Sequence, residues 1–280
     1  MHVGIMMFST DQTVPPAPLA RMIAERGFEA MFLPEHSHIP VTRSTPYPRG
    51  GDLPPEYHRT VDMFVGLAAA TTAEPGLTIG TGITVVPQHD PIYLAKQVAS
   101  VDQLSGGKLI FGIGFGWNQD EIEDHGVPYK KRRTVTREKM LAMRELWTQE
   151  IASFHGDYVD FAPTYQWPKP VRAGGPPVVI GGLAGPKLFE HIAEYAHGWS
   201  PIGTRTITEG LPALQKAFED AGRDPATIRL HAFDSRSDAS LVERYADLGV
   251  ERLVITVPPN GRDDLARTLD SMMPLNDLVR

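Results

Sequence analysis

No cysteine occurs anywhere in the 280 residues. Disulfides, thiolate nucleophiles and Cys-ligated zinc are excluded together. Basic charge is scarce as well: 27 Lys+Arg stand against 34 Asp+Glu, a formal net charge of -7. So acidic a chain lacks the cationic surface that phosphate-backbone contacts require, and nucleic acid is not an expected partner. Long apolar runs are missing too, because Gly, Thr or Pro breaks each one well before the ~18 residues of a membrane-spanning helix. Neither a basic stretch nor a cleavage site precedes the apolar opening Met1-His2-Val3-Gly4-Ile5. A cytoplasmic protein without membrane contact is expected.

What is present is core material, 41% hydrophobic residues, punctuated by 26 glycines and 25 prolines. That punctuation stays below the ~25–30% Gly plus Pro of low-complexity chains. Short β-rich runs alternate with segments of helical spacing. Strands are predicted at Val3 to Phe8, Ala30 to Glu35, Leu77 to Val86, Lys108 to Gly114, Val178 to Gly181, Gly198 to Ile202, Ile228 to Phe233 and Arg252 to Val257. Several are continuously apolar, as parallel strands buried on both faces are. Between them, sets such as Leu94, Val98, Val101, Leu104 and Leu241, Tyr245, Leu248 recur at three and four, the helical period. Eight strand-helix units in this length are the arithmetic of an α/β fold, a single (β/α)8 TIM barrel over residues 1–280. A doubly wound sheet is the alternative.

Long insertions are expected after strands 2 and 4. One runs from Ser37 to Arg59 with five prolines; the other runs from Ile151 to Pro177 with Phe154, Tyr158, Phe161, Tyr165 and Trp167. Loops after barrel strands build the active-site face, so both are candidate substrate walls or lids, or else plain surface loops.

The second strand ends Leu33-Pro34-Glu35-His36-Ser37-His38. Glu35 and His36 at the barrel mouth are candidate acid-base partners. His36 and His38 form a His-x-His pair, but a metal needs further ligands, and His231, the only other strand histidine, is more simply a core residue; no metal is expected. The third strand carries glycines at 80 and 82, which mark a bulge or the close approach of a ligand to the backbone. Gly112-Ile113-Gly114-Phe115-Gly116-Trp117 follows on the fourth strand. It lacks the spacing and later acid of a dinucleotide fingerprint, and tight strand-helix packing explains it equally. After the fifth strand, Gly181-Gly182-Leu183-Ala184-Gly185-Pro186-Lys187 opens a helix. Free N–H groups there suit a phosphate, though helix capping accounts for the same glycines.

Taken in order, these segments resemble the bacterial-luciferase-like monooxygenase superfamily, in its F-420-dependent oxidoreductase branch. The resemblance runs from residue 3 to about 202. It rests on Pro87-Gln88-His89-Asp90-Pro91-Ile92-Tyr93-Leu94-Ala95-Lys96-Gln97, Leu104-Ser105-Gly106-Gly107-Lys108, Gly126-Val127-Pro128 before Arg132 and Arg133, and Pro176-Pro177 before Gly181-Gly182. It implies coenzyme F-420, an 8-hydroxy-5-deazaflavin, or alternatively FMN, at the carboxyl ends of the strands. It also implies a non-prolyl cis peptide at Gly82–Ile83 behind the central ring. The cofactor-binding set it implies is Thr81, Gly82, Ile83, Gly114, Phe115, Gly116, Trp117, Gly181, Gly182 and Leu183. Glu35 and His36 fall on the family's acid-base position. Two departures stand out: Phe115 replaces the arginine that luciferases offer the flavin phosphate, and Trp117 replaces the catalytic glutamate of F-420-dependent sugar-phosphate dehydrogenases. The resemblance therefore implies hydride transfer between F-420 and a small organic substrate, with an FMN-dependent monooxygenase or a flavin-binding protein without turnover as alternatives. A homodimer and a flavin or F-420 reductase as cofactor supplier come with it.

Overall fold

The computed structural model describes residues 1–278. Its first half contains β1 (His2–Met6), α1 (Pro16–Ala24), β2 (Ala30–Leu33), α2 (Met63–Ala73), β3 (Thr78–Thr81), β4 (Thr84–Val85), α3 (Pro91–Leu104), β5 (Leu109–Gly114), α4 (Gln119–Asp124) and α5 (Arg132–Thr148). The second half contains β6 (Ala152–His155), β7 (Asp160–Thr164), β8 (Val178–Gly181), α6 (Pro186–Tyr195), β9 (Gly198–Ser200), α7 (Thr204–Asp220), β10 (Arg229–Asp234), α8 (Ala239–Asp247), β11 (Arg252–Thr256) and α9 (Arg262–Met272).

Nine of the strand segments join in parallel in the order β3-β2-β1-β11-β10-β9-β8-β5-β4, and the β3–β5 pairing closes the ring. Because β3 and β4 are two halves of one strand, the ring is an eight-stranded (β/α)8 barrel. Each half pairs with β5 in a different register: Gly80 faces Ile110, but Thr84 faces Ile113. The third strand thus carries one extra residue, a bulge, and within it the Gly82–Ile83 peptide bond is cis, as the resemblance implies.

Sequence punctuation sets the element ends. Asp90 caps α3, its carboxylate accepting from the N–H groups of Ile92 and Tyr93, with Pro91 at the first helical position. Asp62 and Asp238 cap α2 and α8 in the same way. Inside the barrel Ala30, Phe32, Ile110, Val179 and Val254 are buried together, with Met6 and Phe233 packed against them. Burying side chains of this size stabilises by roughly 1.5–3 kcal/mol each. Phe32 finds room because Gly80 faces it: a Cβ on Gly80 would overlap the ring. Gly80 therefore serves packing, while the bulge belongs to Gly82.

The two long segments differ from each other. Residues 34–62, between β2 and α2, lie at the carboxyl ends of the strands. The segment 149–177 falls in the connection after the fourth barrel strand but beyond its helix, α5, so it leads away from the mouth. It folds into the β6–β7 hairpin and lies on the outer helices: the Glu138 carboxylate of α5 accepts from the N–H of Tyr158 and Val159, and Gln166 donates to the Ile92 carbonyl at the start of α3. Of the two readings of this segment, substrate wall or plain surface loop, the placement favours the second: Tyr158, Tyr165 and Trp167 remain exposed. Among the described residues no helix is long and apolar enough to cross a membrane.

Candidate functional site

A cavity of about 400 Å³ opens at the carboxyl ends of the strands. Its lining includes Gly82 and Ile83 of the bulge, Gly181 at the end of β8 and Gly182 after it, Ser200 at the end of β9 and Phe233 of β10; Arg49 of the 34–62 loop contributes as well. Four expected site residues thus share one wall. Three of them lack side chains, so backbone itself forms the surface. Ser200 is buried, and its hydroxyl finds no hydrogen-bond partner. A wider groove of about 970 Å³ lies elsewhere, between α6 and α7, and contains none of the expected acid-base residues.

Glu35 and His36 do not form a pair. Successive residues of an extended chain point to opposite sides. The Glu35 carboxylate accepts from the Val85 N–H at 2.6 Å and meets His89 Nε2 at 2.9 Å. It fastens the strand beyond the bulge. The turn carrying His89 is held by Lys139 of α5, whose ammonium donates to the Pro87 and His89 carbonyls. Burial pushes the Lys139 pKa down to about 8, against the opposing pull of Asp90.

His36 turns the other way. Its Nδ1 lies 2.8 Å from Oε2 of Glu121, and only 7% of the histidine and 2% of the glutamate side chain remain exposed. Glu121 also accepts from the Ser37 N–H. Burial opposes ionisation of Glu121, yet the bond and charge of His36 hold its carboxyl below the usual range. An ionised carboxylate only accepts, so the proton of a neutral His36 sits on Nδ1 and Nε2 is left as an acceptor. Nε2 has no protein partner among the described residues.

The His36 ring is set among aromatics. Tyr57 lies 5.1 Å from it between centroids and Trp117 5.9 Å; Tyr47 is 5.4 Å from Tyr57 and 6.1 Å from Trp117, and Phe8 packs 4.7 Å from Tyr57. The hydroxyls of Tyr47 and Tyr57 bond each other at 3.2 Å. Burial, then that bond, pushes the Tyr57 pKa far above its usual value. The loop bearing Tyr47 is clasped to α4, because Asp120 accepts from the N–H and hydroxyl groups of both Ser44 and Thr45. Those bonds, the Thr45 hydroxyl first, hold the Asp120 carboxyl well below its usual range.

The remaining expected residues are dispersed. The Thr81 hydroxyl is spent on the Gly112 carbonyl at 2.6 Å. Gly114 leaves space that the Ile83 side chain fills. Gly116 turns with φ +76° beneath Ile122, which aims Trp117 at His36. Phe115 is buried between His191, 5.3 Å away, and the Arg133 guanidinium, 4.5 Å above its ring. Leu183 is 83% exposed. His38 meets Asp124 at 3.0 Å rather than joining His36. His231 is fully buried, 3.3 Å from Glu251.

Sequence reasoning missed Glu121, His89, Tyr47, Tyr57 and Ser200. Glu121 stands in the first turn of a helix, where acids occur simply to complement the dipole. His89 lies within the Pro87 to Gln97 motif, which by itself assigns it no role.

The Luciferase-like monooxygenase family model matches residues 16–247, well beyond residue 202, where the motif resemblance fades. An uncharacterized protein of Mycobacterium tuberculosis is 40% identical over 276 residues, 97% of each chain. Among solved structures, an F-420-dependent secondary alcohol dehydrogenase in complex with an F-420-acetone adduct has a TM-score of 0.77 at 17% identity, covering 100% of this chain and 99% of the other. A monooxygenase from Streptomyces bottropensis, RslO1, also has a TM-score of 0.77, at 18% identity over 98% of this chain and 97% of that one. The chain belongs to the luciferase-like monooxygenase family.

Proposed function

We propose that this protein is an F-420-dependent oxidoreductase that moves a hydride between the deazaflavin and a small organic substrate. The observation that carries the reading is the buried His36–Glu121 pair after the second barrel strand, at the same end of the barrel as a backbone-walled cavity that neither residue lines. Oxidising an alcohol, or reducing the ketone, requires a proton carrier next to the hydride-bearing carbon. A ring nitrogen held as an acceptor by a buried carboxylate meets that need.

The site fits a flat heterocycle. Gly82, Gly181 and Gly182 present bare backbone, the cavity volume lies within the range of small-molecule sites, and the buried Ser200 hydroxyl lacks a partner. Those residues and Ile83 would hold the ring, and the N–H groups of the Gly182–Gly185 turn ahead of α6 would take the phosphate. When bound, F-420 accepts or donates a hydride at its central ring. The protein's own part is proton handling and water exclusion. In alcohol oxidation His36 Nε2 takes the hydroxyl proton as the C–H hydride leaves the same substrate; in the reverse direction it returns that proton. Glu121 stabilises the ring while it is cationic. Glu35 keeps the bulged strand in place. A homodimer, and a flavin or F-420 reductase as supplier, belong to the same proposal.

An FMN-dependent monooxygenase is the second reading, in keeping with the family. Phe115 weighs against it only in part: its buried ring carries no charge for a flavin phosphate, and the cation at that place is Arg133, 4.5 Å above the ring. Titration should show F-420 binding at least tenfold more tightly than FMN, about 1.4 kcal/mol. Tighter FMN binding, with oxygen consumed on adding reduced FMN, overturns the proposal in favour of the monooxygenase.

A further inference from the structure

The 34–62 loop carries an arginine with no apparent employment. Arg43 places its guanidinium 5.6 Å above the Trp117 ring, and its Nη1 is enclosed without a hydrogen-bond partner. An enclosed donor left unpaired loses its hydration without recompense, the more so when charged. The nearest-in-sequence opportunity for pairing is declined: Asp120 binds Ser44 and Thr45 beside Arg43 and gives Arg43 nothing. Trp117 is also the ring that faces His36, at 5.9 Å. One indole therefore joins an acid-base nitrogen to an unspent cation.

The surface between them is apolar. Tyr47 and Tyr57 satisfy each other's hydroxyls, so what they add to this surface is ring carbon, and Phe8 extends it from the far side of Tyr57. Among the described residues named in this wall the one carboxylate is Glu121, which is committed to His36, Ser37 and Asn118. A molecule suited to this enclosure has a flat hydrocarbon body, one hydroxyl or carbonyl carbon at His36, and one carboxylate. The guanidinium fork pairs with a carboxylate in two parallel bonds, and desolvation by the aromatic wall strengthens that pairing.

We infer that the substrate is an aryl-bearing hydroxy or oxo carboxylate, with its ring on Tyr57 and Trp117 and its carboxylate on Arg43. This rests on the oxidoreductase reading for the role of His36, but the recognition itself is read by binding alone. The protein is first saturated with F-420 and then titrated by calorimetry with phenylpyruvate, with phenylacetone, which lacks the carboxylate, and with pyruvate, which lacks the ring. Phenylpyruvate should bind at least tenfold more tightly than either. Arg43→Gln should reduce phenylpyruvate to the level of phenylacetone while the F-420 dissociation constant changes less than twofold, which also certifies the fold. Arg43→Lys, which keeps charge without the fork, should fall between. Equal binding of phenylpyruvate and phenylacetone, a ratio unmoved by Arg43→Gln, or no binding of any of the three overturns the inference. If the protein takes FMN instead, the same panel on FMN-loaded protein decides the substrate class separately from the cofactor.

Discussion

Glu121→Gln reverses the polarity of one hydrogen bond without removing a buried side chain. In the native site the carboxylate accepts from both the Ser37 N–H and His36 Nδ1. A glutamine has one accepting oxygen and one donating nitrogen. If the oxygen stays on Ser37, whose N–H cannot turn, the amide nitrogen faces His36 Nδ1 and must donate to it. The neutral ring then carries its proton on Nε2, toward the substrate, where an acceptor is needed. The charge that stabilised the protonated ring is lost as well. Together these effects should slow single-turnover hydride transfer by between about 10² and 10⁴-fold, the range for a positioned acid-base group held in the wrong tautomer. Folding should suffer little: the change weakens one charged hydrogen bond, worth about 1.5–3 kcal/mol. At roughly 2–4 °C per kcal/mol for a chain of this size, the melting temperature should fall by ten degrees or so at most. The assay is stopped-flow absorbance of the deazaflavin, with F-420 affinity and melting temperature measured alongside. Glu121→Asp, which keeps charge but withdraws the carboxylate by one methylene, should recover only part of the rate. A full rate in Glu121→Gln refutes the tautomer argument, and an equal loss in F-420 affinity reduces Glu121 to a structural residue.

Three other outcomes are expected. His36→Ala should lose about 10²–10⁴-fold in single turnover with F-420 binding largely kept, whereas His38→Ala, removing a half-exposed partner of Asp124, should change neither; equal damage from both restores a joint His-x-His role. Gly80→Ala should destabilise by about 1–3 kcal/mol through overpacking, and Phe32→Leu in the same chain should recover part of the loss, because the added methyl collides with the Phe32 ring; urea midpoints without that recovery would contradict the packing account. Lys139 has its folded pKa lowered to about 8 from the ordinary 10.5. Below pH 8 both folded and unfolded forms are protonated, and between about 8 and 10.5 the unfolded chain binds more protons, so this group makes stability rise with pH by up to about 1.4 kcal/mol per unit there. Lys139→Met should abolish that rise, seen as the difference between the two urea midpoint profiles; parallel profiles would show that the ammonium is not desolvated.

The barrel was legible because its evidence is local and repeated. Parallel strands buried on both faces must read as apolar runs, and all eight predicted runs become barrel strands with ends within a few residues. The bulge was legible for a different reason: a glycine in a barrel strand needs a cause, and Gly82 has one in the register shift against β5. Its neighbour Gly80 shows the ambiguity of that inference, since the same residue type two positions earlier answers only to Phe32. The 151–177 segment was misplaced because sequence order cannot say whether a long connection precedes or follows the helix of its unit. Of its aromatics, Phe154 and Phe161 stack on each other across the hairpin, while Tyr158, Tyr165 and Trp167 stay exposed.

The acid-base pair illustrates what contiguity conceals. Glu35 and His36 are adjacent in the chain and were read together, yet alternation sends one to the strand and the other to the aromatic cluster of Tyr57 and Trp117. Their true partners lie at 89 and 121, fixed by tertiary geometry alone. Each carboxylate holds one backbone N–H and one histidine ring, and the difference lies in what those partners do. Glu35 joins Val85 to His89 on the two sides of the strand's end and therefore acts on the shape of the bulged strand. Glu121, more deeply buried, holds Ser37 and His36, and because the other nitrogen of the His36 ring is left without a partner among the described residues it acts on where a proton resides. Changes at position 35 should thus alter how the cofactor is seated, and changes at 121 how fast a proton moves, although sequence alone ranks the first as the more obvious catalytic residue.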